Sequence, residues 1–174
     1  MIVNKAYRYR IYPTTAQKMM FAKTFGCVRF IYNKMLSDRI DYYKETGQKL
    51  NNTPAQYKEE FPWLKEVDSL ALANAQMNLN KAYSHFWNDS QHFGKPRFKS
   101  KKNSRASYST NNQKGSVRIE GHKVKLPKVG WVKLCQHRPL PENSIIKTVT
   151  ISQTPSGKYY ISMLVEYENQ ILPV

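Results

Sequence analysis

The sequence is short of cysteine and of long apolar runs, and each shortage excludes a class of protein. Its two cysteines, Cys27 and Cys135, lie far apart and form no CxxC pair, which excludes a disulfide framework and a zinc ribbon. No apolar run approaches the roughly 20 residues that span a bilayer, and the amino end MIVNKAYRYR lacks the apolar stretch of a secretory signal. We therefore expect a soluble, cytoplasmic protein with no membrane partner.

Acidic residues are also scarce. The chain has 28 lysines and arginines against 12 acids, a net charge of +16. Residues 90–139 hold 13 basic residues and one acid, Glu120. Residues 1–89 hold 13 basic and 8 acidic residues, and residues 140–174 hold two basic and three acidic residues. Such an excess indicates a polyanionic partner. A two-metal nuclease centre needs several converging acids, so we predict no catalytic residue and no metal ligand in this chain.

The first segment has the pattern of a half-buried strand. NKAYRYRIYP places one set of side chains on one face and a second set on the other, ending at Pro13. The two sets are Ala6, Arg8 and Arg10, and Tyr7, Tyr9 and Ile11.

Helical spacing and capping residues then predict four helices. The first runs from a cap at Thr14 or Thr15 to Phe25, and Gly26 separates it from a second, which ends near Thr46. A short helix starts at Thr53 and ends before Pro62, and a longer one starts from a cap at Asp68 or Ser69. The pair of helices between residues 15 and 46 fits a helix-turn-helix, with Arg29, Asn33 and Lys34 exposed, or a plain helical hairpin.

The remaining chain reads as a loop followed by strands. Residues 94–115 are rich in Lys, Ser and Asn, which predicts a loop or a segment ordered only on its ligand. About five strands follow, the last two forming a hairpin that turns at residues 155–157. One strand, a helical block and then strands give an α+β class. Because a lone first strand must pair with something, we expect it to join the later strands in one small barrel that receives the helices as an insertion.

Two neighbouring segments have the residue types that contact nucleic acid. Six cations between Lys95 and Arg105 can replace the counterions of a polynucleotide, and Phe93 and Phe98 beside them can stack bases; the alternative is a solvated linker. The polar run from Tyr108 to Gln113 can contact phosphates or adenine edges, and turn formation is its alternative.

These segments together resemble a known family, the TnpB or OrfB proteins of insertion sequences, which are related to type V CRISPR effectors. The matching elements are NKAYRYRIYPTTAQ, FGCVRFIYNKML, YYKETGQKL, PWLKEVDSLALANAQMNLNKAYSHFW, GKPRFKSKK, VKLPKVGWVKL and KTVTISQTPSGKYYISMLVEYE. They extend over nearly the whole chain.

The resemblance implies the non-catalytic half of an RNA-guided DNA endonuclease. Residues 1–13 and 106–168 would form an oligonucleotide-binding-like wedge barrel, residues 14–93 a helical recognition insertion, and residues 94–105 a basic connection. The implied partners are a guide RNA from the transposon end and double-stranded DNA with a short adjacent motif. The RuvC-type nuclease domain, with its Mg²⁺ and Zn²⁺, would lie in the missing carboxyl-terminal half, and no cofactor is expected here.

Thr110 and Asn111 match the family's motif-reading element, and Asn52, Ser69 and Ala73 occupy further motif-reading positions. Two other hypotheses are a subunit of a split nuclease completed by a separate chain, and a DNA-only regulator acting through residues 15–46. The same partners imply that the cytoplasmic protein associates with the nucleoid. The predicted nucleic-acid-binding residues are Lys5, Arg8, Arg10, Arg29, Lys95, Arg97, Lys99, Lys101, Lys102, Arg105, Tyr108, Thr110, Asn111, Lys125 and Lys128.

Overall fold

The computed structural model describes residues 1–102 and 105–169, which form two compact units. The sheet unit comprises residues 1–21 and 105–169, and the helical unit comprises residues 22–102. The chain thus starts in the sheet unit, leaves it for the helical unit and then returns.

The sheet unit is built on seven antiparallel strands in the order β2-β6-β7-β1-β5-β4-β3, curled into a half-barrel. The strands are β1 (Ile2–Tyr12), β2 (Ala106–Asn111), β3 (Arg118–Glu120), β4 (Lys123–Leu126), β5 (Gly130–Cys135), β6 (Ile145–Gln153) and β7 (Tyr159–Glu168). The first strand pairs with β7 along almost its whole length and with β5 at its end. The α+β class and the pairing of the first strand with later ones are confirmed.

The alternation predicted for β1 is present in the structure. Tyr7, Tyr9 and Ile11 are buried beneath the sheet, whereas Arg8 is exposed and Arg10 half-buried on its other face. The Tyr9 hydroxyl donates a 2.8 Å hydrogen bond to the Arg138 carbonyl, so this buried aromatic keeps a partner for its polar end. The alternation therefore sends the two arginines to the outer side of the sheet.

The helical elements are α1 (Thr15–Thr46), two 3₁₀ helices (Pro54–Tyr57 and Pro62–Glu66) and α2 (Ser69–Asn88). Thr14 caps α1: its hydroxyl accepts from the Gln17 amide at 3.2 Å, and the Gln17 side chain accepts from the Thr14 amide at 2.9 Å. Asp68 caps α2 by accepting from the Leu70 amide at 3.0 Å. The starts of both helices are as predicted.

The predicted break at Gly26 is wrong, because α1 is one helix of 32 residues. A glycine inside a helix costs about 1 kcal/mol relative to alanine. The flanking Phe25 and Cys27 are buried, as are Ile31 and Met35 further along, and each large apolar side chain contributes about 1.5–3 kcal/mol on burial. Packing therefore outweighs the glycine, and residues 15–46 form neither a helix-turn-helix nor a hairpin.

The loop predicted for residues 94–115 is correct for only part of that range. Residues 94–102 have no regular secondary structure, but Ala106–Asn111 forms β2, paired with β6. Tyr108 and Thr110 are buried on alternate positions of this strand. The segment has few apolar side chains, so its sequence pattern did not predict a strand. Pairing with β6 stabilises it as one.

None of the helices among the described residues is both long and apolar enough to cross a membrane.

Candidate nucleic-acid interface

The outer side of the sheet unit carries arginines stacked on tyrosines. The Arg8 guanidinium lies 4.1 Å from the centre of the Tyr160 ring. The Arg10 guanidinium lies 4.9 Å from the Tyr12 ring and 5.8 Å from Tyr160, its partner on β7. Cation–π contacts of this kind hold the planar guanidinium in place. Strand pairing thus places two guanidinium groups against the Tyr160 ring, one of which also lies near the Tyr12 ring.

The same side of the sheet continues across β5, β4 and β3 with further cations and aromatics. The Lys133 ammonium lies 5.9 Å from the Tyr12 ring, and the Arg118 guanidinium lies 5.5 Å from the Trp131 ring. Lys125 is paired with Trp131 in the β4–β5 register. We call this surface the outer sheet face; its members are Arg8, Arg10, Tyr12, Arg118, Lys123, Lys125, Trp131, Lys133 and Tyr160.

The strands on this side carry three acids: Glu120 and Glu166 are engaged by cations, and Glu168 is exposed at the end of β7. Glu120 lies 3.5 Å from Arg118, and Glu166 lies 3.2 Å from Lys147. Glu120 therefore partly neutralises Arg118, whereas among the described residues neither Arg8 nor Arg10 forms an ion pair with a carboxylate. A phosphate backbone is attracted to such a surface, and exposed rings beside the cations can stack on bases.

Three other predicted residues of the sheet unit lie away from this stacked cluster. Lys5 is exposed near the start of β1, with its ammonium 5.5 Å from the Tyr7 ring. Lys128 is exposed in the β4–β5 turn with a positive φ of 67°. Arg105 is exposed just before β2. Their role in binding stays a prediction.

The polar run on β2 divides between the two sides of the sheet. Thr110 is fully buried, as is nearly all of Tyr108. Asn111 donates a 3.2 Å hydrogen bond to the Thr148 hydroxyl, and the hydroxyls of Ser109 and Thr150 are 2.7 Å apart. Thr110 therefore cannot touch a base unless β2 rearranges, whereas the half-buried Asn111 remains a predicted contact.

In the helical unit, the basic segment is attached to α1 rather than free. The Asn33 side-chain oxygen Oδ1 accepts from the Lys99 amide at 2.8 Å, and the Asn33 side-chain NH₂ donates to the Lys99 carbonyl at 2.7 Å. We call residues 94–102 the basic loop. Lys99 is exposed as a whole, but its ammonium lies 4.3 Å from the Tyr32 ring and is partly desolvated, which lowers the pKa of Lys99. A freely solvated linker does not describe this loop.

The other cations of the basic loop point to solvent. Lys95, Arg97, Lys101 and Lys102 are all exposed. Phe98 is exposed too, by 57%, although it is a large apolar side chain. This arrangement suits phosphate contacts. The main chain of the loop is held at Lys99, while the charged side chains around it stay accessible to solvent.

Arg29 is brought close to this loop by α1. It is half-buried and, with Asn33, Lys34 and Phe98, lines a shallow depression of about 420 Å³. Asn33 and Lys34 were expected to be exposed on a recognition helix. Instead Asn33 binds the basic loop, and Lys34 pairs with Asp38 at 3.2 Å.

Replacing Asn33 with alanine is expected to release the basic loop. Two hydrogen bonds of about 0.5–1.5 kcal/mol each are lost, so trypsin should cut among Lys95–Lys102 about tenfold faster. Limited proteolysis followed by mass spectrometry measures this rate. Gln48→Ala, at an exposed position, is the control and should cut at the unaltered rate; equal rates for the two variants would contradict the anchoring role.

Asn52, a predicted motif-reading position, is buried with its side chain fully engaged. Its oxygen accepts from the Arg39 Nε at 2.7 Å, and its NH₂ donates to the Tyr57 hydroxyl at 2.8 Å and to the Met35 carbonyl at 3.3 Å. The predicted reading role conflicts with this position, because the side chain is buried and both of its polar atoms already have partners in the protein. Ser69 is exposed at the start of α2 and Ala73 is half-buried.

Sequence reasoning did not identify Tyr160, Trp131 or Tyr32 as parts of an interface. Tyr160 stacks with arginines from the opposite end of the chain, so no local pattern could have shown the pairing. The only signal was the high tyrosine content, 12 residues.

Among residues 1–102 and 105–169, no group of three or more His, Cys, Asp or Glu side chains could hold a metal ion.

Comparison of the sequence with known proteins shows which family the chain belongs to. A family model for the helix-turn-helix domain of OrfB proteins of the IS605 type matches residues 1–48, which hold β1 and the unbroken α1. A "Putative RNA-guided DNA endonuclease" of Streptomyces pristinaespiralis is 32% identical over 171 residues, 94% of this chain and 42% of that protein. The "Virulence protein VsdF" of Salmonella dublin is 33% identical over 113 residues, 56% of this chain and 93% of that protein. This chain belongs to the TnpB/OrfB family.

A further TnpB/OrfB relative gives the same coverage. The "Putative RNA-guided DNA endonuclease InsQ" of Escherichia coli K12 is 27% identical over 94% of this chain and 41% of its own length. The chain thus spans about two fifths of the length of the two curated relatives with endonuclease names, which is consistent with the amino-terminal half of a TnpB protein.

Proposed function

We propose that this chain is the nucleic-acid-binding portion of a transposon-associated, RNA-guided DNA endonuclease. It holds a structured guide RNA and contacts double-stranded DNA beside a short motif. The observation that carries this proposal is the outer sheet face, where Arg8 lies over the Tyr160 ring and Arg10 lies between the Tyr12 and Tyr160 rings. The family relationship and the net charge of +16 support it.

Within this proposal the two units have different tasks. The curled sheet is the wedge-type barrel, with an oligonucleotide-binding-like surface, and the helical unit is the recognition insertion. Base pairing by the guide reads most of the target sequence, so the protein needs mainly phosphate and shape contacts. Cleavage is left to a RuvC-type nuclease portion, in the same longer protein or in a separate subunit, which would use Mg²⁺ and hold Zn²⁺.

The DNA-only regulator is not proposed. Its basis was a pair of helices between residues 15 and 46, and this stretch is a single helix. A helix-turn-helix dimer would need a second helix there to enter the major groove.

Electrophoretic mobility shift with RNA transcribed from the transposon end tests the proposal. We expect this RNA to bind at least tenfold more tightly than a scrambled RNA of equal length, because folded RNA presents shape and unpaired bases in addition to charge. Affinity should fall steeply with salt, by a log–log slope of about 0.7 for each single-stranded phosphate contact. Equal affinity for the two RNAs would remove the main support for guide-RNA binding.

A further inference from the structure

The helical unit contains a cavity of about 600 Å³ that the outer sheet face and the basic loop do not explain. Its size falls in the range of about 300–1,000 Å³ typical of sites that enclose an organic ligand. Tyr43, Tyr83 and Trp87 supply aromatic surface to its lining. We call it the aromatic cavity.

The aromatic surface of this cavity is open to solvent. Tyr43 is 50% exposed and Trp87 is 48% exposed. Large aromatic side chains left this accessible in a concave site indicate a binding surface for flat apolar groups. The cavity therefore suits a ligand with a planar ring.

The charges around the cavity have one sign. Four of the lining residues are cations and, among the described residues that line it, none is acidic; the cations are Arg39, Lys44, Lys49 and Lys95. The Lys49 ammonium lies 4.9 Å from the Trp87 ring. A ligand that combines a planar ring with a nearby negative charge fits this lining. A nucleotide, with its base and its phosphate, is such a ligand.

Polar groups in the lining are held in fixed positions. The Arg39 guanidinium donates to the Asn80 side-chain oxygen at 2.8 Å and lies 5.8 Å from the Tyr83 ring. Burial lowers the pKa of Arg39 and raises that of Tyr83. Such preorganised groups can recognise base edges and ribose hydroxyls at a small entropic cost.

Lys95 connects the cavity with the basic loop, since it is the first cation of that loop and also lines the cavity. A strand whose phosphates follow the exposed cations of the loop would bring a neighbouring base to the cavity. Only a base outside a stack can enter. Unpaired, unstacked bases are the usual targets in folded RNA, whereas a DNA duplex keeps its bases inside.

We infer that the aromatic cavity takes one unpaired nucleotide of a bound RNA. The inference rests on the proposed function and specifies where the RNA strand is read in the helical unit. The base would stack against Trp87 and Tyr43, and its phosphates would lie by Lys49 and Lys95.

The test compares Trp87→Ala with Trp87→Phe and with Met77→Ala, the last at a position on α2 that is 61% exposed and outside the cavity lining. For the transposon-end RNA we expect Trp87→Ala to weaken binding about tenfold, because one base loses its stacking partner. Trp87→Phe should keep most of the affinity, and Met77→Ala all of it. The salt dependence should not change for Trp87→Ala, since no charge is removed.

Ultraviolet crosslinking with mass spectrometry gives an independent measurement on the unaltered chain, in which Trp87 or Tyr43 should carry the crosslinked nucleotide. The inference is overturned if Trp87→Ala binds as well as Met77→Ala, or if it weakens duplex DNA binding and leaves RNA binding unchanged. Failure of the proposed function has a different result, since the unaltered chain itself would then show no preference for the transposon-end RNA.

Discussion

Replacing Arg8, Arg10 and Lys133 together with alanine is expected to weaken binding of the transposon-end RNA on the order of a hundredfold at about 0.1 M salt. The three cations stand on adjacent strands beside Tyr12 and Tyr160, so we expect them to contact neighbouring phosphates of one bound strand. Loss of three phosphate contacts should also lower the slope of log affinity against log salt by about 2. Filter binding at several salt concentrations measures both quantities.

A matched variant distinguishes the contribution of the outer sheet face to RNA affinity from the contribution of net charge. Lys65, Lys81 and Lys158 are exposed and lie outside the outer sheet face, and their joint replacement with alanine removes the same three charges. It should lower affinity less than fivefold, since only the long-range field is reduced. Equal losses for the two triple variants would show that the outer sheet face has no special role.

Replacing Asn52 with alanine is expected to lower the free energy of unfolding by about 3 kcal/mol. Asn52 is 3% exposed and joins Arg39, Tyr57 and the Met35 carbonyl through its side chain. Asp38 accepts a 2.7 Å hydrogen bond from the Tyr57 hydroxyl, and burial together with this bond raises the pKa of Tyr57 to about 12. Removal of the amide leaves buried polar groups without partners, and urea unfolding measures the cost.

The neighbouring Asn51 provides the control, because it is exposed and its replacement with alanine should change stability by less than about 0.5 kcal/mol. If Asn52 read DNA instead of supporting the fold, Asn52→Ala would unfold like the unaltered chain and only its preference among DNA motifs would change. Measurement of both quantities on the same variant therefore decides between the two roles.

Parts of the candidate site were predictable because their signals are local. The alternation in NKAYRYRIYP predicted that Arg8 and Arg10 leave the core, and both lie on the outer face. The run of cations from Lys95 onwards predicted exposed charges without knowledge of the fold, and Lys95, Arg97, Lys101 and Lys102 are exposed. Such features depend on neighbours one to four residues away, so the chain shows them directly.

Other parts depend on residues far apart in the chain. Asn33 and Lys99 are separated by 66 positions, and their reciprocal hydrogen bonds turn a basic stretch into an anchored loop. The sequence position of Asn52 predicted a residue that reads the DNA motif. Only the packing of α1 and the 3₁₀ helix Pro54–Tyr57 around it buries its side chain and gives it partners in both elements. No local pattern contains these contacts.

The sequence by itself determined the α+β class, the starts of both long helices to within one residue, and the sign and location of the charge, because each depends on adjacent residues. Tertiary structure decided that α1 continues through Gly26, that residues 106–111 form a strand, and that Arg8 and Arg10 stack on Tyr160. Burial of the helix outweighs the cost of Gly26, and pairing with β6 stabilises a segment with few apolar residues; the arginine contacts with Tyr160 join residues far apart in the sequence, which no local pattern contains.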